Sequence, residues 1–191
     1  MIINEHKTIF IHIPKNAGTS IESIFKPCVK LNKLIDRHAT IYDIKNKLPN
    51  IYKKYNKFAI VRNPYERMVS WYHYLKTATN ARTIITLKTW DASFNEWVDN
   101  IEEVTAKYLP NHLTLEKELL KPQYNWVDET VTILKYENLN KELNCFFNKD
   151  FCLPIKNKTK HNNYLDYYNN ESLNIVYNKY KEDFKKYNYK K

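Results

Sequence analysis

Apolar and polar positions divide this chain into short, uninterrupted apolar runs separated by stretches of helical period. Thr8-Ile9-Phe10-Ile11-His12-Ile13 is rich in β-branched and aromatic residues and too short for a helix, so a buried strand is predicted there. Phe58-Ala59-Ile60-Val61 is a second such run, of the kind that parallel sheets bury on both faces, and residues 131 to 135 form a third. After the first run, Ile21, Ile24 and Phe25 fall on one face of a short helix that must stop before Pro27, with Thr19 and Glu22 at capping-box spacing. After the second, Asn63 suits an N-cap, Pro64 the first helical position and Glu66 a capping box. Asp91 is an N-cap candidate for a helix that buries Phe94, Trp97, Val98 and Ile101. Leu173, Val176, Tyr177, Tyr180, Phe184 and Tyr187 keep helical spacing and predict an amphipathic helix docked on the core. Residues 76 to 89 lack a clear period and read as a loop. The expected architecture is a three-layer α/β fold with a mainly parallel central sheet flanked by helices, built as one domain over residues 1–191 without internal repeat or linker.

Composition changes this picture little. A formal charge of +10 favours anionic partners, although abundant Lys, Asn, Ile and Tyr beside a single glycine also match an A+T-rich coding bias that leaves many lysines as solvated surface. No stretch is long and apolar enough to span a bilayer, and the N-terminus enters the first strand without a charged-then-apolar signal, so a protein that is cytoplasmic or otherwise soluble is expected. Cys28, Cys145 and Cys152 show no C-x-x-C spacing, which points to buried free thiols rather than a zinc site or disulfide framework. The sequence leaves open whether Cys145 and Cys152 pair in an oxidising compartment.

The single glycine, Gly18, lies in Pro14-Lys15-Asn16-Ala17-Gly18-Thr19-Ser20, between the first strand and the first helix. A chain that keeps one glycine at that junction is expected to need close backbone approach to a ligand there. Backbone N–H groups at such a turn, with Lys15, Thr19 and Ser20 adding an ammonium and two hydroxyls, make an anion site. It is not a Walker A loop, because Lys15 precedes the glycine by three residues instead of following it. Arg62 lies where the second strand ends, placed to fork onto a phosphate, and Ser70 sits two turns into the next helix, able to offer a hydroxyl to the same group.

Taken together, Pro-Lys-x-x-Gly-Thr-Ser and Arg62-Asn-Pro-Tyr-Glu-Arg-Met-Val-Ser-Trp-Tyr resemble the sulfotransferases that use 3′-phosphoadenosine 5′-phosphosulfate (PAPS), most closely their carbohydrate branch. Arg37-His38-Ala39-Thr40 is similar to that family's His-Ala-Thr segment, Lys121-Pro122-Gln123 to its Pro-Gln segment, and Tyr136-Glu137-Asn138-Leu139 to the end of a later strand. The resemblance spans nearly the whole chain, being loosest over residues 76 to 120 and 156 to 161. It implies a P-loop-like fold, with Lys15, Asn16, Ala17, Gly18, Thr19 and Ser20 holding the 5′-phosphosulfate and Arg62 and Ser70 the 3′-phosphate. It further implies PAPS as cosubstrate, its 3′,5′-bisphosphate (PAP) as product, and a hydroxyl acceptor, here a carbohydrate.

Sulfuryl transfer needs positioning, a base and cations. Lys15 is the natural cation for charge on the leaving oxygen, and His38, through the His-Ala-Thr resemblance, is the base, with His112 and Glu22 in reserve. His12 is expected to lie in or along the first strand, and His73 shares a helix with Ser70. No His/Asp/Glu cluster has ligand spacing, so no metal is expected. Two other classes stay open at this point: a P-loop kinase, disfavoured by the position of Lys15, and a basic nucleic-acid-binding module, for which the 15% aromatic content speaks but no recognition signature does.

Overall fold

The computed structural model describes residues 1–25, 33–77, 92–101, 120–153 and 163–191. They form two compact units, Met1–Arg62 with Gln123–Lys158, and Asn63–Pro122 with Thr159–Lys191.

The first unit holds a four-stranded sheet among the described residues, ordered β1 (Ile2–Ile3), β2 (Thr8–Ile11), β3 (Asn56–Val61) and β4 (Thr132–Lys135). β2 pairs with β3, and β3 with β4, in parallel; only β1 runs antiparallel, with Ile2 opposite Ile9. The mainly parallel sheet expected from the three apolar runs is therefore present. The short strand β1 was not foreseen, since two residues carry no period. Because side chains alternate along a strand, Phe10, Phe58, Ile60 and Leu134 share one face, which packs with Ile21 and Phe25 at helix α1 (Gly18–Ile24) and with Leu139 and Leu143 of a later helix, Leu139–Phe147. Phe10 and Phe58 are register partners whose rings stack 4.9 Å apart. Ile9, Ile11, Ala59 and Val61, on the opposite face, are also 0% exposed, so both faces are covered as a parallel sheet requires.

Between α1 and β3 come α2 (Ile41–Lys47) and α3 (Pro49–Lys54). Thr40 caps α2: its hydroxyl accepts from the Asp43 N–H while the Asp43 carboxylate accepts from the Thr40 N–H. Capping at α1 differs from expectation. Its N-cap is Ala17 in the left-handed region, Thr19 is exposed, and Glu22 bonds elsewhere. Cys145 and Cys152 are free, as expected, but exposed rather than buried; Cys28 lies outside the described residues.

The second unit is helical. α4 (Pro64–Thr77) starts at the expected proline, and the Asn63 carboxamide oxygen caps it by accepting from the Tyr65 N–H at 2.9 Å. α5 (Phe94–Asp99) buries Phe94, Trp97 and Val98, with Ile101 just beyond it. Its cap is Ser93, paired reciprocally with Glu96, and Asp91 lies outside the described residues. The expected single C-terminal helix is instead two, Asn170–Lys179 and Lys181–Lys186, broken at Tyr180. Tyr180 is 1% exposed and donates its hydroxyl to the Leu120 carbonyl at 2.9 Å, and that anchored ring holds the break. Val176, Tyr180 and Phe184 nevertheless pack with Tyr65, Met68 and Tyr72 of α4, so the apolar stripe does dock on a core.

Candidate functional site

Within the first unit, three segments meet at the carboxyl ends of β2 and β3: the loop from His12 to Ala17, the segment Asp36–Ala39, and the short 3₁₀ turn Gln123–Trp126. In the loop, Lys15 (φ 68°) and Ala17 (φ 58°) both adopt the left-handed region, which costs about 1 kcal/mol or more for residues with a Cβ. Tight alternation of this kind turns successive N–H groups toward one side, the backbone form of an anion nest.

Gly18 has an ordinary φ, and the reason for glycine is steric. A Cβ there would overlap the His12 imidazole, which lies directly against the Gly18 backbone. Close approach was expected at this position, and the group that approaches in the structure is the chain's own histidine.

Asn16 is 1% exposed, and its amide donates to the Ile60 carbonyl and to Gln123 Oε1, both at 2.7 Å. Gln123, 0% exposed, pairs with the backbone of Arg62 as a neighbouring strand would: Oε1 accepts from the Arg62 N–H at 3.0 Å and Nε2 donates to the Arg62 carbonyl at 2.9 Å. One glutamine thus joins the loop to the residue after β3. Sequence reasoning met Gln123 only within the Pro-Gln resemblance and assigned it no task.

The Arg62 guanidinium donates to the Lys15 carbonyl at 3.3 Å and stacks 4.1 Å above the Tyr136 ring. It lies close enough to the Lys15 ammonium for the two charges to repel. Burial first, and then that repulsion, lower the Lys15 pKa to about 8. Two like charges held together at a partly buried loop favour an anion beside them. Thr19 is exposed and Ser20 buried at the start of α1. Ser70 is half-buried on α4 in the second unit, where His73 of the same helix meets the Tyr167 hydroxyl at 2.9 Å.

His38 is half-buried, with Nδ1 3.1 Å from the His12 carbonyl. A carbonyl oxygen only accepts, so Nδ1 carries the proton and Nε2 the lone pair. Burial lowers the His38 pKa, aided by the Arg37 charge and against the His12 hydrogen bond, so the ring is neutral near pH 7. His12 is buried beside it, ring centroids 4.5 Å apart, and burial pushes its pKa down to about 4. Glu22, a reserve base in the sequence, is unsuited to that role. Partial burial would raise it, but the hydrogen bonds from His12 and Arg37 outweigh burial and hold the carboxyl at about 2. His112, the other reserve, lies outside the described residues. Among the described residues no group of three or more His, Cys, Asp or Glu is arranged to hold a metal ion, and no helix is long and apolar enough to cross a membrane.

No curated protein and no solved structure matches this chain. A family model does, over residues 1–190, and the chain therefore belongs to the Sulfotransferase family and is an enzyme of sulfuryl transfer.

Proposed function

We propose that this enzyme moves the sulfuryl group of PAPS to a hydroxyl of a carbohydrate acceptor, its 191 residues acting as one catalytic domain. The observation that carries the reading is the Lys15–Arg62 pair, two cations in mutual repulsion at a left-handed loop, an arrangement that an oligoanionic donor relieves. In this reading Lys15, with the backbone of Asn16, Ala17 and Gly18 and the hydroxyls of Thr19 and Ser20, receives the 5′-phosphosulfate, while Arg62 receives the 3′-phosphate. The Asn16 side chain serves the loop from inside, through Ile60 and Gln123.

The acceptor oxygen forms a bond to sulfur as the bond from sulfur to the bridging oxygen of the 5′-phosphate breaks. The acceptor proton passes to His38 Nε2, and Lys15 stabilises the charge that the leaving oxygen gains. Each task suits its group: a neutral imidazole with a defined lone pair, and an ammonium already beside a second cation. The family's requirement for a nucleotide donor supports PAPS, and the resemblance of residues 62–72 to the carbohydrate branch supports the acceptor class.

A thermal-shift comparison tests the donor. PAP without metal is expected to stabilise the protein, as any ligand of the native state must. Stabilisation by ATP with Mg²⁺ alone, or salt-sensitive binding of oligonucleotides in its place, overturns the reading. Incubation of candidate sugars with labelled PAPS, read by mass spectrometry, tests the acceptor, and transfer only to non-carbohydrate hydroxyls refutes that half.

A further inference from the structure

The Glu22 carboxylate accepts from three donors on two different segments. His12 Nδ1 lies 3.1 Å from Oε1, Arg37 Nε 2.9 Å from Oε1, and Arg37 Nη2 2.6 Å from Oε2. An ionised carboxylate has no proton to give, so His12 must donate through Nδ1. Arg37 approaches as a planar fork, the bidentate form that fixes orientation as well as charge. His12 opens the loop to α1, and Arg37 is the residue before His38.

These contacts close a ring of constraints. His38 Nδ1 donates to the His12 carbonyl, and the His12 ring is held against Gly18 on one side and by Glu22 on the other. The Asp36 carboxylate accepts from the His38 N–H at 2.7 Å and fixes the backbone of the same turn. The charged or titratable groups acting on His38 are therefore His12, Arg37, Asp36 and Glu22.

We propose that Glu22 is a positioning residue: by holding His12 and Arg37 together it aims the His12 carbonyl at His38 Nδ1 and so selects the His38 tautomer whose Nε2 is unprotonated. The inference rests on the proposed function for what His38 Nε2 does. The tautomers themselves are a property of the chain, and they can be read without any turnover.

The test uses full-length protein with ¹⁵N-labelled histidine and long-range ¹H–¹⁵N NMR at pH 8. In wild type both His12 and His38 are expected as the Nδ1–H tautomer. In Glu22→Leu that single form is lost at both rings. Glu22→Gln, whose amide oxygen still accepts from His12, retains it at His12. In steady-state assays Glu22→Leu lowers kcat by about 10- to 100-fold with the donor KM within about twofold, and Glu22→Gln recovers most of the loss. Arg37→Met carries the test if Glu22→Leu does not fold: His38 then loses its single tautomer while His12 keeps its own. A folded Glu22→Leu or Arg37→Met protein that keeps pure Nδ1–H His38 overturns the proposal. Tautomer changes as expected, in a wild-type protein that never transfers a sulfuryl group, uphold the positioning and overturn the function assigned to His38.

Discussion

Raising the pH from 7 to 9 is expected to weaken PAP binding through one group, Lys15. Its free-state pKa is about 8, lowered from 10.5 by burial and then by the Arg62 charge. An anion beside the ammonium favours the protonated form, so the bound pKa lies higher and binding takes up protons. Affinity then varies with the protonated fraction of the free protein, from about ten-elevenths at pH 7 to about one-eleventh at pH 9, a loss of roughly tenfold. The ligand obscures this little, since a phosphate's second ionisation, at about 6, is already about ten-elevenths complete at pH 7 and its remaining ionisation would act in the opposite direction by only about a tenth. Isothermal titration in two buffers of different ionisation enthalpy reads both the affinity and the proton uptake, and Lys15→Met should remove the uptake along with most of the affinity. The same shift bears on folding with a defined sign. A lysine whose folded pKa lies below its unfolded value binds fewer protons in the native state between the two, so stability rises with pH from about 8 to 10.5. The cost at pH 7 is at most about 3 kcal/mol from the same shift, and less after relaxation, so Lys15→Met should melt higher than wild type while binding PAP poorly. Affinity that stays flat from pH 7 to 9 without proton uptake, or a lower melting temperature for Lys15→Met, would refute the reasoning.

Gly18→Ala should destabilise by about 1–3 kcal/mol, because its Cβ overlaps the His12 ring, and denaturant melts should find that His12→Ala in the same chain recovers most of the loss. If the two substitutions add without interaction, the ring is not the obstacle. Gln123→Met should leave the Asn16 amide and both backbone groups of Arg62 without this partner, costing about 2–4 kcal/mol in melts and weakening PAP binding more than Thr19→Val, which removes only an exposed hydroxyl. Arg62→Ala removes both a guanidinium and a support of the Lys15 carbonyl, so calorimetry should show losses for PAP and for adenosine 5′-phosphosulfate, with the larger loss for PAP. Equal losses would confine Arg62 to the loop. His38→Ala should lower turnover by about 10² to 10⁴ with PAP affinity nearly intact, and normal turnover would take the base assignment away from it.

Strands and their parallel pairing were legible because each apolar run is short, β-branched and doubly buried, a signature that survives without tertiary context. The capping signals divided by what else could bond the same side chains. Asn63 behaves as read, since its N-cap bond is local. Thr19 and Glu22 do not, because Arg37 and His12 offer Glu22 stronger, charge-assisted partners that no local pattern announces. The break at Tyr180 was hidden for the same reason, the ring continuing the helical stripe while its hydroxyl reaches Leu120, 60 residues away. Within the candidate site, the segments were legible and their internal wiring was not. Gln123 imitates a strand at a separation of 61 residues, and the left-handed turns fall on Lys15 and Ala17 beside a glycine with no such need.

Burial lowers the pKa of both His38 and Lys15, yet it serves them in opposite ways. For the imidazole, depression below 6.5 keeps the proposed base unprotonated at neutral pH; for the ammonium, depression to about 8 endangers the charge proposed to meet the donor. The proposed chemistry therefore has a window, open above the His38 titration and closing through that of Lys15. The two limbs differ in kind. His38 must be neutral in free and loaded enzyme alike, so its acid limb belongs to both kcat and kcat/KM. If Lys15 meets the phosphosulfate as proposed, it regains its proton on binding, so its alkaline limb, near pH 8, is expected in kcat/KM for the donor and should move upward or vanish in kcat. Glu22 completes the arrangement by pairing with the Arg37 guanidinium through both carboxylate oxygens, which offsets the positive charge on the segment that carries His38.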